Sequence, residues 1–209
     1  MTILYVIRHG ETDWNRDGRY QGQADIPLND DGRRQSQAIG ARMARVPLDA
    51  IYASDLCRAF ATAEAVAAGR PIMTDVRLRE VNVGQVYGMT NPEIAAAFPD
   101  FWAAYQAKPE TVAFPGGENA LEVHQRAMAA VADICARHPG GKVALVSHGG
   151  IVKVIVTEVL GMPLHARGRI VLENCSLSVV EWTPERRRLR SLNDTGHLEQ
   201  APRDVAADF

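Results

Sequence analysis

Apolar and polar residues fall into short blocks along the chain, and the blocks predict alternating strands and helices. Ile3–Ile7 is an uninterrupted apolar run, the pattern of a short strand buried on both faces. Residues 10 to 29 are polar and glycine-bearing, hence loop. Asn29 can cap a helix reaching about Val46, with Asp30 and Asp31 favourably placed in its first turn. Ala50–Ala53 reads as a second strand. Ser54 or Asp55 then caps a helix in which Leu56, Ala59, Phe60, Ala63 and Val66 keep helical spacing. A third strand lies near Ile72–Thr74.

The block from 81 to 117 is less regular and reads as an insertion lying over the sheet. Asn91-Pro92 marks a helix start, Phe98-Pro99 a stop, and Phe114-Pro115-Gly116-Gly117 closes the segment. Leu121, His124, Met128, Val131 and Cys135 then mark an amphipathic helix. Val143–Val146 is a fourth buried strand, and Ile151–Leu160 is a helix apolar nearly all round. Residues 175–182, a Thr-Pro-Glu turn and Leu189–Leu192 read as an antiparallel hairpin. The expected fold is a three-layer α/β/α sandwich with a mostly parallel sheet, formed by residues 1–209 as one domain.

Composition narrows the function classes. The chain has 209 residues, 46% hydrophobic and 23% charged, with a formal net charge of −2. Those fractions suit a globular domain with a real core. A near-neutral chain offers no global attraction for nucleic acid or a membrane surface, so anion binding would need a local cluster of positive charge. Cys57, Cys135 and Cys175 are odd in number, far apart and without a Cys-x-x-Cys pair. They argue against a disulfide framework and a cysteine zinc site, and fit a reducing, cytoplasmic setting. No stretch approaches the roughly 18 apolar residues that span a bilayer.

The chemistry lies at the ends of the strands, because open α/β sheets bind ligands beyond the carboxyl ends of their strands. Arg8, His9 and Gly10 come directly after the first strand. Ser54, Asp55 and, in the next helix's first turn, Arg58 come after the second; Arg77-Leu78-Arg79-Glu80 after the third; Ser147, His148, Gly149 and Gly150 after the fourth. Two histidines, at least two arginines and a glutamate therefore converge. Glycines after both histidines leave backbone N–H groups open to an anion near helix N-termini. Paired guanidinium forks match a phosphate dianion. The set reads as a phosphate pocket with a histidine at its floor.

The segments RHGETDWN (8–15), QG (21–22), DIPLNDDG (25–32), SDLCRAFATAE (54–64), LRE (78–80), PGGE (115–118) and VSHGG (146–150), with NDTGHL (193–198) near the end, resemble the histidine phosphatase superfamily, which includes the cofactor-dependent phosphoglycerate mutases. The resemblance implies a phosphoglycerate mutase-like fold and a set of roles. His9 would be the nucleophile that takes the phosphoryl group, without a metal or other cofactor. Arg8 and Arg58 would grip non-bridging oxygens, and His148 with the Gly149 N–H would stabilise the transferring charge. Asn15 and Gln21 match phosphate-binding positions. Glu80 would protonate the leaving alcohol and then activate water.

The implied activity is hydrolysis of a small-molecule phosphate ester, with inorganic phosphate as product, by a monomer or homodimer. A mutase is the rival, but Lys108 is the only lysine or arginine between residues 80 and 125, which leaves little to hold a substrate carboxylate. The apolar residues of the same segment suggest a rather apolar leaving-group pocket, and Val86-Tyr87-Gly88 stands where many phosphatases have Trp-x-Gly. A metallohydrolase using His9 and His148 lacks a His-x-x-x-His or Asp-rich pair, and two arginines would repel its cation. A non-catalytic phosphate sensor would need neither nucleophile nor acid. Ordinary structural roles are expected elsewhere. His124 falls on a helix stripe and reads as core, His138, His165 and Arg186–Arg188 read as surface, and Glu118 is either a substrate contact or an early-turn helix acid. The role of His197 is open, as is that of the tail from about Gln200.

Overall fold

A computed structural model describes residues 1–183 and 185–198; Pro184 of the expected turn and the tail from 199 lie outside the described residues. The elements in chain order are β1 (Thr2–Arg8), α1 (Asp13–Arg16), α2 (Asp30–Met43), β2 (Ala50–Ala53), α3 (Cys57–Ala67), β3 (Met73–Thr74), α4 (Asn91–Ala97), α5 (Pro99–Ala107), α6 (Ala120–Arg137), β4 (Lys142–Ser147), α7 (Gly149–Leu160), β5 (Leu177–Trp182) and β6 (Arg187–Asp194). Among these, six strands form one sheet in the order β3-β2-β4-β1-β5-β6. β1, β2, β3 and β4 pair in parallel, whereas β5 runs antiparallel to both β1 and β6.

Strand alternation supplies two cores. Leu4 and Val6 of β1, Tyr52 of β2 and Val143 and Leu145 of β4 face α6 and α7. Ile7, Ile51, Ala53, Ala144 and Val146 face α2 and α3, meeting Ile39, Met43, Ala59 and Ala63. Leu4 and Leu145 are fully buried, and each such side chain contributes about 2 kcal/mol of apolar transfer.

This layering positions the site. The crossover leaving β1 passes through α2 on one face, and the one leaving β4 passes through α7 on the other. β1 and β4 are neighbours, Arg8 opposite Ser147, so a crevice opens between their carboxyl ends, the switch point where α/β sheets bind ligands.

The insertion makes a third core of its own: Val83, Val86, Ile94 and Phe114 are buried with Tyr20, Phe101, Trp102 and Tyr105 packed around them. Phe114 lies 5.4 Å from Phe101 and 5.1 Å from Tyr105, ring centroid to centroid. Packing within the insertion thus accounts for much of the apolar composition that suggested a hydrophobic leaving-group pocket.

Several local expectations are corrected. The loop after β1 contains α1, whose Thr12 and Asn15 cap each other. α2 stops at Met43 rather than Val46. Pro99 ends one helix and starts another, because proline fits the first helical turn. α3 begins at Cys57 and has no side-chain cap, since Ser54 and Asp55 are engaged by His148 and Arg79. The buried stripe of α6 is Ala120, Val123, Ala127, Ala130, Val131, Ile134 and Cys135. Leu121 is exposed, and His124 is half-buried, its Nε2 2.9 Å from Glu158. His138 is half-buried against the Tyr52 hydroxyl at 3.0 Å rather than free at the surface.

Candidate active site

His9 lies one residue past β1 and is 3% exposed. Its Nδ1 is 2.7 Å from the Gly10 carbonyl, and Arg58 Nε donates to its Nε2 at 3.3 Å. A guanidinium can only donate, so Nε2 is the acceptor and the proton sits on Nδ1. The imidazole therefore presents a lone pair at Nε2, toward the arginine. Burial, then the charges of Arg58 and Arg8, hold its pKa well below the ordinary histidine value. Held neutral, His9 keeps a basic lone pair at Nε2, the electronic state that nucleophilic chemistry requires.

Arg58 is completely buried. Besides His9 it donates from Nη1 to the Ala24 carbonyl and from Nη2 to the Gly22 carbonyl, each at 2.7 Å. The loop between β1 and α2 thereby fixes the guanidinium plane. Burial lowers its pKa, yet arginine stays charged at any ordinary pH. Arg8 donates from Nη1 to the Leu172 carbonyl. A Cβ at Gly149 would lie 3.4 Å from Arg8 Nε, so the guanidinium runs beside the start of α7.

His148, the residue before α7, is fully buried, with its ring centroid 5.1 Å from that of His9. Its Nε2 is 2.8 Å from Ser54 Oγ, while Nδ1 is buried without a hydrogen-bond partner among the described residues. Burial and then Arg58 push its pKa well below the ordinary value. With the Ser54 hydroxyl donating to Nε2, Nδ1 carries the proton, and an unsatisfied buried N–H suits a ligand oxygen.

Glu80 is half-buried above the start of α7. Its Oε2 accepts the Gly150 N–H at 3.0 Å and its Oε1 accepts the Val81 N–H at 2.9 Å. It pairs with neither Arg77 nor Arg79. Arg77 bonds Asp75 and Asp133, and Arg79 bonds Asp55, so those two arginines take no part in the pocket. Gly150 leaves room for this carboxylate, because a Cβ there would fall 2.3 Å from Glu80 Oε1 and displace it. Gln21 is 8% exposed, and its Oε1 lacks a partner among the described residues. Asn15 offers its Oδ1 to the Thr12 N–H and hydroxyl at 3.2 and 3.0 Å, which leaves its NH2 group outside that knot. His9, Arg8, Arg58, His148, Gly149 and Glu80 thus gather around the crevice, with Asn15 and Gln21 on the loop that carries the carbonyls bound by Arg58.

Sequence reasoning missed the supports. Ser54 positions His148, though the serine of SDLCRAF gave a usable signal. Arg126 donates to the carbonyls of Arg77, Arg79 and Glu80 and pairs with Glu118. Glu118 also accepts the Asn82 N–H at 2.8 Å. Both of its oxygens thus fasten the strap that carries Glu80. His197 bonds Arg42 and the Cys175 carbonyl. Among the described residues, no group of three or more His, Cys, Asp or Glu side chains could hold a metal ion, and no helix is long and apolar enough to cross a membrane.

Comparison with known proteins finds relatives along nearly the whole chain. The family model of the histidine phosphatase superfamily (branch 1) matches residues 4–195. The probable phosphoglycerate mutase GpmB of Yersinia pestis (strain Pestoides F) is 37% identical, over 98% of this chain and 98% of its own. Among solved structures, Bacillus stearothermophilus YhfR superposes with a TM-score of 0.89 at 36% identity, covering 95% of this chain and 100% of its own. A mutant phosphoserine phosphatase of Entamoeba histolytica in complex with phosphoserine gives a TM-score of 0.87 at 26% identity, with 95% and 100% covered. Matched over nearly its whole described length in sequence and in fold, this chain belongs to the histidine phosphatase superfamily.

Proposed function

We propose that the protein is a metal-independent phosphomonoester hydrolase working through a phosphohistidine at His9. The observation that carries this reading is His9 itself: buried, neutral, with its Nε2 lone pair held beside the Arg58 guanidinium. Arg8 and Arg58 neutralise the phosphate dianion, joined by the NH2 group of Asn15, by Gln21, and by the Gly149 N–H at the start of α7. Nε2 attacks phosphorus, the bond from phosphorus to the ester oxygen breaks, and Glu80 delivers its proton to the departing alkoxide. Water then gives a proton back to Glu80 and attacks phosphorus. The phosphorus–nitrogen bond breaks, and inorganic phosphate and neutral His9 result. His148 sits against the transferring group, where its free Nδ1 can meet a charged oxygen. Positioning and charge neutralisation are what phosphoryl transfer chiefly requires.

The mutase reading has a relative's name in its favour. A mutase must hold a second, carboxylated phosphate ester, and the insertion's one lysine, Lys108, is exposed at the end of α5. Its sparse charge supports hydrolysis of esters that carry no carboxylate. The test is phosphate release in EDTA from an aryl phosphate, 3-phosphoglycerate, sugar phosphates and a nucleotide, wild type against His9→Ala. Turnover that survives EDTA and vanishes in the variant is expected. Mutase turnover primed by a bisphosphoglycerate, with no phosphate release, would overturn the hydrolase assignment.

A further inference from the structure

The turn that precedes β5 touches the nucleophile from behind. The Ser176 carbonyl accepts the Arg8 N–H at 3.2 Å, the Cys175 N–H donates to the His9 carbonyl at 3.1 Å, and the Leu172 carbonyl takes the Arg8 side chain. Cys175 adopts φ +56°, a left-handed conformation uncommon for a residue with a side chain. Such conformations persist where surrounding contacts over-determine them. Here the Cys175 carbonyl is held in turn by His197 Nε2 at 3.0 Å.

At the centre of this turn lies Asn174. Its Nδ2 donates to the His9 carbonyl at 3.1 Å and to Asn15 Oδ1 at 3.3 Å. Both amide orientations are set by the partners. The His9 carbonyl can only accept, so the atom facing it is the Asn174 nitrogen. The Thr12 N–H can only donate, so the atom facing it is the Asn15 oxygen. Asn174 therefore completes a set of three donors on Asn15 Oδ1, and the Asn15 NH2 is turned the other way.

We propose that Asn174 is a positioning residue: one NH2 group fixes both the backbone from which the His9 ring is aimed and the side-chain orientation that lets Asn15 donate to phosphate. This rests on the phosphohistidine reading of the site. The role is specific to a donor at this place. Alanine removes it, and aspartate, nearly the same shape, sets a carboxylate oxygen against two acceptor oxygens.

The test compares Asn174→Ala, Asn174→Asp, Asn15→Ala and the double alanine variant, by kcat/KM for an aryl phosphate, inhibition by inorganic phosphate and melting temperature. Asn174→Ala is expected to lower kcat/KM about 10- to 100-fold, the scale of loss from misplaced catalytic groups. It should also weaken inhibition by phosphate. Adding it to Asn15→Ala should cost less than the product of the two single effects, because part of its action passes through Asn15. Asn174→Asp should be worse than alanine at neutral pH and recover relative to wild type as pH falls, since a protonated carboxyl regains one donor. Fully multiplicative effects, with a flat pH ratio and losses that track melting temperature alone, would overturn the assignment. Wild-type phosphoenzyme is measured in parallel. Its absence rejects the phosphohistidine reading, whereas its presence with multiplicative effects rejects the role of Asn174 alone.

Discussion

Replacing Gly150 with alanine separates Glu80 from the rest of the site. The new Cβ would lie 2.3 Å from Glu80 Oε1 and 3.2 Å from its Cδ. Ordinary van der Waals contact begins near 3.4 Å, so the carboxylate must move by about 1 Å. It can do so easily, since it is the far end of a flexible side chain, but its bond from the Gly150 N–H goes with it. His9, Arg58 and His148 are untouched. Alanine is also the better helix former, by about 1 kcal/mol, so the melting temperature should hold or rise.

A general acid contributes about 100-fold or more, and a 1 Å misplacement can cost about 100-fold. An alkyl phosphate, whose alkoxide needs a proton, should therefore lose about 100-fold in kcat/KM. An aryl phosphate with a stable phenolate needs no proton to depart, and its kcat/KM should change by less than about 3-fold on the same grounds. Water activation fails for both esters, so the aryl substrate should show a phenolate burst approaching one per site, then slow turnover. Stopped-flow phenolate release and steady-state phosphate assays read both quantities. Equal losses in kcat/KM for the two esters, or none for either, would refute the role of Glu80.

Other outcomes rest on the same geometry. His9, His148 and His197 all have pKa values lowered chiefly by burial. Below about pH 6.5 the unfolded chain takes up protons that the folded chain refuses, so stability must fall as pH drops through that value. Melting curves from pH 8 to 5 should show it, and a melting temperature that climbs on acidification would contradict the buried neutral pair. Arg58→Met removes the largest charge acting on His9. The His9 pKa, tracked by imidazole proton NMR, should then rise toward the ordinary value, with activity down about 100-fold or more. An unshifted titration would show that the two groups are not coupled.

Much of the site was legible because strand ends announce it. β1, β2 and β4 are continuous apolar runs, and each stops at a polar motif that can face only the sheet's carboxyl end. Arg8, His9, Arg58, His148 and Glu80 come from that rule and from the family resemblance. The helix stripe of α6 was misplaced by hydropathy. Three of its seven buried residues, Ala120, Ala127 and Ala130, are alanines, which carry little signal, while the exposed Leu121 drew the stripe toward solvent. The turn at 172–176 was missed for a different reason. Asn174 works through one side-chain amide, and its partners lie more than 150 positions earlier in the chain, so neither periodicity nor local spacing marks it. Glu118 and Arg126 belong to the same class, since a long-range bond from a backbone N–H to Glu118, or from Arg126 to backbone carbonyls, leaves no trace in a hydropathy pattern.

The central claim is that the phosphoryl group passes through His9. Wild-type protein mixed with an activated aryl phosphate in EDTA should be quenched in base within the first turnover, since phosphohistidine survives base and is lost in acid. Intact mass and peptide mapping should then find one added phosphoryl group, placed on His9 and missing from His9→Ala. Turnover by wild type with no phosphoenzyme at any quench time, or with the label on another residue, would contradict it.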